Sequence, residues 1–133
     1  PTLLDLAGLP IPDTVEGMSL LGDERREYLY GEHYEDDKAT RMIRDERFKL
    51  IYYPVGNRIQ LFDIDNDPHE QRDLGRAPEH ATERERLGAL LVEEMYGKDR
   101  EWIRGGRLIG LPDKTPELQD IRSLVGQRGL RFL

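Results

Sequence analysis

The residues able to do chemistry in this chain are few. Three histidines, His33, His69 and His80, supply its only imidazoles, and Tyr30-Gly31-Glu32-His33-Tyr34 sets the first beside a carboxylate and two phenols. That composition suits the rim of a polar substrate pocket, with His33 and Glu32 meeting the ligand. The plainer reading of His33 is a hydrogen-bonded residue at a strand end. Arg41 and Arg44 follow closely, and a guanidinium can fork onto an anionic ligand through two parallel hydrogen bonds. The 27 acidic residues equally offer them partners within the protein. His69, in an acidic turn, and His80, on an exposed helical face, read as solvated.

Asp63, Asp65 and Asp67 alternate carboxylates in the manner of a calcium loop. Such a loop needs Gly at its sixth position and a bidentate Glu at its twelfth, and here those positions hold Pro68 and Leu74. The spacing instead predicts a structural turn. Asn66 and Asp67 would bond nearby backbone N–H groups, Pro68 fixes φ, and Glu70 reaches back to the same turn. The chain contains no Cys, which removes thiolate metal sites, disulfides and a thiol nucleophile. Neither of its two serines, Ser19 and Ser123, is read as a nucleophile within reach of a base. No catalytic residue and no metal ligand is therefore assigned.

The elements that must position these residues centre on Arg41 to Leu74. Thr40 to Arg44, Phe48 to Tyr53 and Ile59 to Ile64 read as strands, rich in aromatic and β-branched residues. In the second, Phe48, Leu50 and Tyr52 share one face, and Lys49 marks the other as the wetter. Pro54-Val55-Gly56-Asn57 supplies a hairpin turn. Tyr28 to Tyr34 gives a fourth strand, with Gly31 expected as a bulge. No intervening helices separate the later strands, so they pair antiparallel and leave one face for a covering helix. Leu87, Leu90, Leu91 and Met95 recur at helical spacing within about 78–96, after Pro78 and Glu79 at the start and before Gly97 as terminator.

Thr2 to Leu9 predicts a short buried helix, capped by Thr2, ended by Gly8 and barred from continuing by Pro10 and Pro12. Its leucines, with Met18, Leu20 and Leu21, are more apolar surface than a small sheet with one helix already on it can hide. Burial against a larger neighbour, or self-association, is the expectation. From Lys98 onward Gly and Pro punctuate short apolar pairs, so an irregular tail is expected, anchored by Trp102 in an apolar groove or, alternatively, offering that ring to substrate.

At 133 residues the chain can fill one modest domain. Its net charge of −7, with scattered acids, is unlike the basic stripe that nucleic acid requires. No run approaches the ~20 apolar residues of a membrane helix, and the opening lacks the pattern of a signal peptide. An opening on Pro-Thr reads as starting within a longer protein. Without Cys or an Asn-x-Ser/Thr acceptor, the sequence is silent on compartment.

Leu61-Phe62-Asp63-Ile64, Asp67-Pro68-His69-Glu70 and Asp73-Leu74 resemble the "L-[YF]-D-L, D-P-x-E-x-x-N-L" signature near the end of type I, formylglycine-dependent sulfatases of the alkaline phosphatase superfamily. Arg41 with Lys49-Leu50-Ile51 is similar to the strands before it. Pro1-Thr2-Leu3-Leu4-Asp5-Leu6-Ala7-Gly8 and Glu16-Gly17-Met18-Ser19-Leu20 resemble the segment leading out of the catalytic core. The resemblance covers about two-thirds of the chain. Asp73 departs from it, standing where the family has Asn. A weaker likeness links Gly126-Gln127-Arg128-Gly129 to an ending seen in some bacterial sulfatases.

The resemblance implies an α+β subdomain: a small antiparallel sheet of about four strands, one amphipathic C-terminal helix across it, and an irregular tail. Residues 1–22 would lead out of a catalytic domain, 23–97 form the subdomain and 98–133 the tail. For the full-length enzyme it implies sulfuric ester hydrolysis with a formylglycine and calcium, acting on a sulfated small molecule or carbohydrate. Neither serine has Pro two positions on, as the formylglycine motif demands, so this piece is expected to be inactive alone. It would complete the fold with the catalytic N-terminal domain and shape the pocket rim through His33, Glu32 and Arg41. The alternatives are the same region of a phosphonate monoester or phosphodiester hydrolase, and a free-standing binding or oligomerisation module.

Overall fold

Period-two patterning sets the sheet. In the computed structural model, which describes residues 1–114, β1 (Leu29–His33), β2 (Thr40–Arg44), β3 (Phe48–Tyr53) and β4 (Arg58–Asp63) lie in chain order and pair antiparallel throughout. In β3 burial alternates: Phe48, Leu50 and Tyr52 are buried, and Lys49, Ile51 and Tyr53 half-buried. The β3–β4 connection is the expected hairpin. Gly56 and Asn57 take φ of 76° and 49°, and the Asn57 N–H donates to the Pro54 carbonyl at 2.9 Å.

Gly31 is not a bulge. It pairs regularly with Met42 in an unbroken register from Leu29↔Arg44 to His33↔Thr40. A Cβ at Gly31 would stand 3.0 Å from the Met42 methyl, so the glycine makes room for a side chain instead of an extra residue.

One long helix covers the sheet. A 3-10 turn at Pro78–His80 leads into α2 (Ala81–Glu94), whose Leu87 and Leu91 are buried against Ile43, Leu50, Tyr52 and Leu61. Complete burial of each leucine contributes about 1.5–3 kcal/mol relative to exposure. The helix stops without help from Gly97. Met95 turns extended so that its side chain enters the core, and Gly97, at φ 56°, opens a further 3-10 turn (Gly97–Trp102).

The following stretch is more ordered than its composition suggested. Trp102 is buried, as an anchor would be, and leads into a two-residue hairpin of β5 (Ile103–Arg104) and β6 (Arg107–Leu108). Leu111 then bridges Val55, and its N–H donates to the Pro54 carbonyl at 2.8 Å. Gly110 allows that approach: at φ 61°, a Cβ there would lie 2.3 Å from the same carbonyl. The 126–129 likeness lies outside the described residues.

At the other end a helix forms, but α1 (Thr2–Leu6) is shorter than the Thr2 to Leu9 expected and none of its residues is buried within this chain; Gly8 at φ 66° follows its end. Thr2 does not cap it. The Thr2 hydroxyl accepts the Leu20 N–H at 3.0 Å, and the Ser19 hydroxyl donates to Asp5 at 2.6 Å. Polar bonds thus tie α1 to the 19–20 loop and leave most of the leucines outward: Leu3 is 81% and Leu20 86% exposed, while Leu4 is half-buried. No helix of the described residues is long and apolar enough to cross a membrane.

Candidate substrate-rim site

The cross-strand register places the chemistry. Glu32 on β1 stands opposite Arg41 on β2, and His33 opposite Thr40, at the end of the sheet. Beyond His33 the chain turns sharply, with Tyr34 and Asp36 both in the left-handed region at φ 54° and 52°. Non-glycine residues adopt that conformation at a cost, sustained only where surroundings fix it. A short 3-10 turn (Asp36–Lys38) then returns the chain to β2.

Arg41 is what fixes them. Its guanidinium is buried, and Asp99 from the 97–102 turn receives it in a fork, Nε to Oδ2 at 2.5 Å and Nη2 to Oδ1 at 3.0 Å. Nη1 donates to the carbonyls of Tyr34 and Thr40, each at 3.0 Å, so it clamps both ends of the left-handed loop. The Trp102 ring lies against it, 5.4 Å from Cζ to centroid. Burial works against the charge on Arg41, but the bonds and field of Asp99 outweigh it and raise its pKa.

Above this pair opens a cleft of about 540 Å³, lined by Glu32, His33, Tyr34, Lys98 and Tyr96 with Arg41 and Asp99 beneath. The Tyr96 hydroxyl donates to Glu32 at 2.7 Å, and that bond raises the phenol's own pKa. Burial pushes the Tyr30 phenol up to about 12, with Arg41 pulling the other way, so near neutrality it is a neutral donor beside Glu32. His33 is exposed, its ring edge-on to Tyr34 at 4.2 Å. The side chains lining the cleft are thus the carboxylates of Glu32, Glu35 and Asp36, an imidazole, phenols and the Lys98 ammonium, which lies 3.6 Å from Asp36, a set suited to hydrogen-bonding hydroxyl groups.

Glu32, His33 and Arg41 therefore meet at one place. Arg44 sits exposed at the opposite end of β2, and His69 and His80 lie elsewhere, His80 near the Phe48 ring. Asp99, Tyr96 and Lys98 escaped sequence reasoning. Asp99 is 58 residues from Arg41 in a stretch without periodicity, so no local signal marked it.

The acidic turn after β4 is structural, with different bonds from those expected. The Asp63 carboxylate accepts from Arg47 Nη2 at 2.7 Å and from Asn66 Nδ2 at 2.8 Å, so Asn66 gives hydrogen bonds where it was expected to receive them. Arg47 first, then Asn66, holds that carboxyl well below the usual range. Asp67 accepts the Arg72 N–H at 2.7 Å, and Pro68 follows it in the turn. Glu70, at φ 53°, does not fold back on the turn but reaches β3, where Lys49 Nζ donates at 2.7 and 2.9 Å. Lys49 is half-buried and offers a better partner than backbone groups already bonded. Asp73 Oδ1 accepts the N–H groups of Leu61 and Gly75 at 3.1 and 2.8 Å, a task an Asn oxygen performs equally well.

A family model described as "N-sulphoglucosamine sulphohydrolase, C-terminal" matches residues 1–96. The chain belongs to that family. As a sulphohydrolase C-terminal domain it is 34% identical over 122 residues to an arylsulfatase of Clostridium perfringens, an alignment covering 86% of this chain and 25% of the relative. Among solved structures it resembles a 2-O GAG sulfatase, with a TM-score of 0.68 and 27% identity over 78% of this chain and 25% of that one. It is also similar to a phosphonate monoester hydrolase from Silicibacter pomeroyi, with a TM-score of 0.56 and 25% identity over 70% of this chain and 23% of that one. The chain spans about a quarter of the length of these relatives.

Sulfatases carry a formylglycine and calcium in their full-length form, and the residues of this domain do not fit either. Among the described residues no three His, Cys, Asp or Glu side chains gather to hold a metal ion. In the acidic turn after β4 the Asp63 and Asp67 carboxylates are engaged by Arg47, Asn66 and the Arg72 N–H. With no Cys and no Ser-x-Pro, nothing here can become formylglycine.

Proposed function

We propose that this domain serves a sulfuric ester hydrolase by completing its fold and forming one side of the substrate pocket, while a preceding catalytic domain supplies the nucleophile and calcium. The substrate is a sulfated carbohydrate: Glu32 accepts a sugar hydroxyl and His33 meets a second hydroxyl or the sulfate. Arg41 is a positioning residue, since its N–H groups already serve Asp99 and the loop carbonyls. The observation that carries this reading is that a buried ion pair holds a left-handed loop from below, while the polar side chains beside it stay exposed. The outward leucines of α1 and the 19–21 loop supply the contact with the catalytic domain. The boundaries 1–22, 23–97 and 98–133 belong to the same proposal.

The test is kinetic, in the parent enzyme. Glu32→Gln and His33→Ala should lower kcat/KM for a sulfated saccharide by about tenfold to a hundredfold, the loss of one hydrogen bond to a charged group. A small aryl sulfate, lacking the sugar hydroxyls, should suffer less. Equal losses on both substrates would overturn the rim assignment. The similarity to a phosphonate monoester hydrolase favours a second reading with the same architecture. A parent enzyme that turns over a phenyl phosphonate better than the matching aryl sulfate would select it.

A further inference from the structure

A second cleft, of about 900 Å³, opens beside the 3-10 turn at residues 36–38. The turn is a divider: Asp36 lines the first cleft, and Asp37 and Lys38 line the second. Both clefts thus lie at the end of the sheet where β1 and β3 finish and β2 and β4 begin.

The second cleft is cationic. Of its acids, Asp113 is taken by Arg58 at 2.7 Å, Asp37 by Lys114 at 2.6 Å, and Asp73 by the Leu61 and Gly75 N–H groups. Lys38, Arg76 and Arg84 remain. Arg84 donates one N–H to the Gly75 carbonyl at 2.9 Å, and among the described residues Lys38 and Arg76 have no side-chain partner. Gly75 makes this arrangement possible: a Cβ there would stand 2.4 Å from the Ile59 carbonyl, so only glycine lets the chain bring Arg76 against the edge of β4. Tyr53 is half-buried in the wall and donates to Gln60 Oε1 at 2.9 Å, which leaves the Gln60 NH₂ and the tyrosine ring to a ligand.

We propose that this cleft is a distal anion site for the same saccharide. A polyanionic oligosaccharide crosses the 36–38 turn, with its reacting unit in the first cleft and a later unit's oxyanion between Lys38, Arg76 and Arg84. This rests on the sulfated-carbohydrate reading above. Lys38 and Arg76, without a side-chain partner among the described residues, and Arg84, with one N–H engaged by the Gly75 carbonyl, keep donors for an incoming oxyanion, and a neighbouring aromatic face with an amide donor suits a sugar ring. The shared chemistry is an oxyanion, either a sulfate ester or a uronate carboxylate.

Calorimetric titration of the parent protein decides the matter, with a sulfated hexasaccharide, the corresponding disaccharide and a desulfated uronate hexasaccharide. The hexasaccharide should bind about tenfold or more tighter than the disaccharide. That length dependence should vanish in the double variant Lys38→Gln, Arg76→Gln, weaken in Arg76→Gln alone, and persist in Arg104→Gln, Arg107→Gln, which removes two exposed cations outside the cleft. Length dependence surviving in the cleft variants, or lost equally in the β5–β6 variant, would overturn the proposal. Tight binding of the desulfated ligand would support it with a carboxylate as the anion, and weak binding with a sulfate. Because titration reads binding, a parent protein that hydrolyses no sulfate ester yet binds by length would fail the hydrolase reading alone.

Discussion

At the scale of single residues, the Arg41–Asp99 pair dominates. Removing one member of a buried ion pair leaves the other uncompensated, at a cost of about 3–5 kcal/mol, well above the worth of an exposed pair such as Arg58–Asp113. Asp99→Ala should therefore destabilise the protein by about that amount in denaturant unfolding, and Asp113→Ala by less than about 1 kcal/mol. Asp63 gives a pH dependence. Its folded carboxyl stays charged well below the ordinary range because Arg47 and Asn66 bond it. In the unfolded chain it takes up a proton near pH ~4. Its stabilisation is thus fully present above that pH and is lost as pH falls toward the folded value. The stability gap between wild type and Asp63→Asn should be flat near neutrality and narrow below about pH 4; a gap that widens on acidification would contradict the assignment.

At the scale of elements, α2 holds the sheet's inner face. Leu87→Ala or Leu91→Ala should cost about 2–5 kcal/mol, since both side chains are fully buried and would leave cavities. Losses below about half a kcal/mol at both sites would make the helix peripheral. Strands and helix were legible because their spacing follows the geometry of a pleat or a helical turn. Where contacts between elements decide, local spacing misled: Gly31 looked like a bulge because Met42 is invisible from β1, and Gly97 looked like a terminator because the inward turn of Met95 depends on the core. The two-residue strands β5 and β6 carry no period at all, and form because Trp102 fixes where they start. Likewise Glu32, His33 and Arg41 were readable as a cluster because they are near in sequence, whereas Asp99 needed the fold.

At the scale of the whole molecule, the chain spans about a quarter of its relatives and bears no nucleophile of the class they use. Assayed alone with an aryl sulfate, with or without calcium, it should show no turnover above background. Activity that persists through repurification would refute its role as a non-catalytic subdomain. Hydrogen exchange addresses the contact with the catalytic domain. Amides of residues 2–9 should exchange fast in the isolated chain and slowly in the parent enzyme.

The fork from Arg41 to Asp99 also says where such a chain can be severed. The family match ends at residue 96, yet the counter-charge and the indole that shield Arg41 arrive at 99 and 102. A domain cut after residue 96 would keep every strand of the four-stranded sheet and its covering helix, and still strand a cation in the interior. In a series of nested deletions, soluble yield should jump between end points 96 and 102, so the heritable unit extends past the border that likeness among relatives draws.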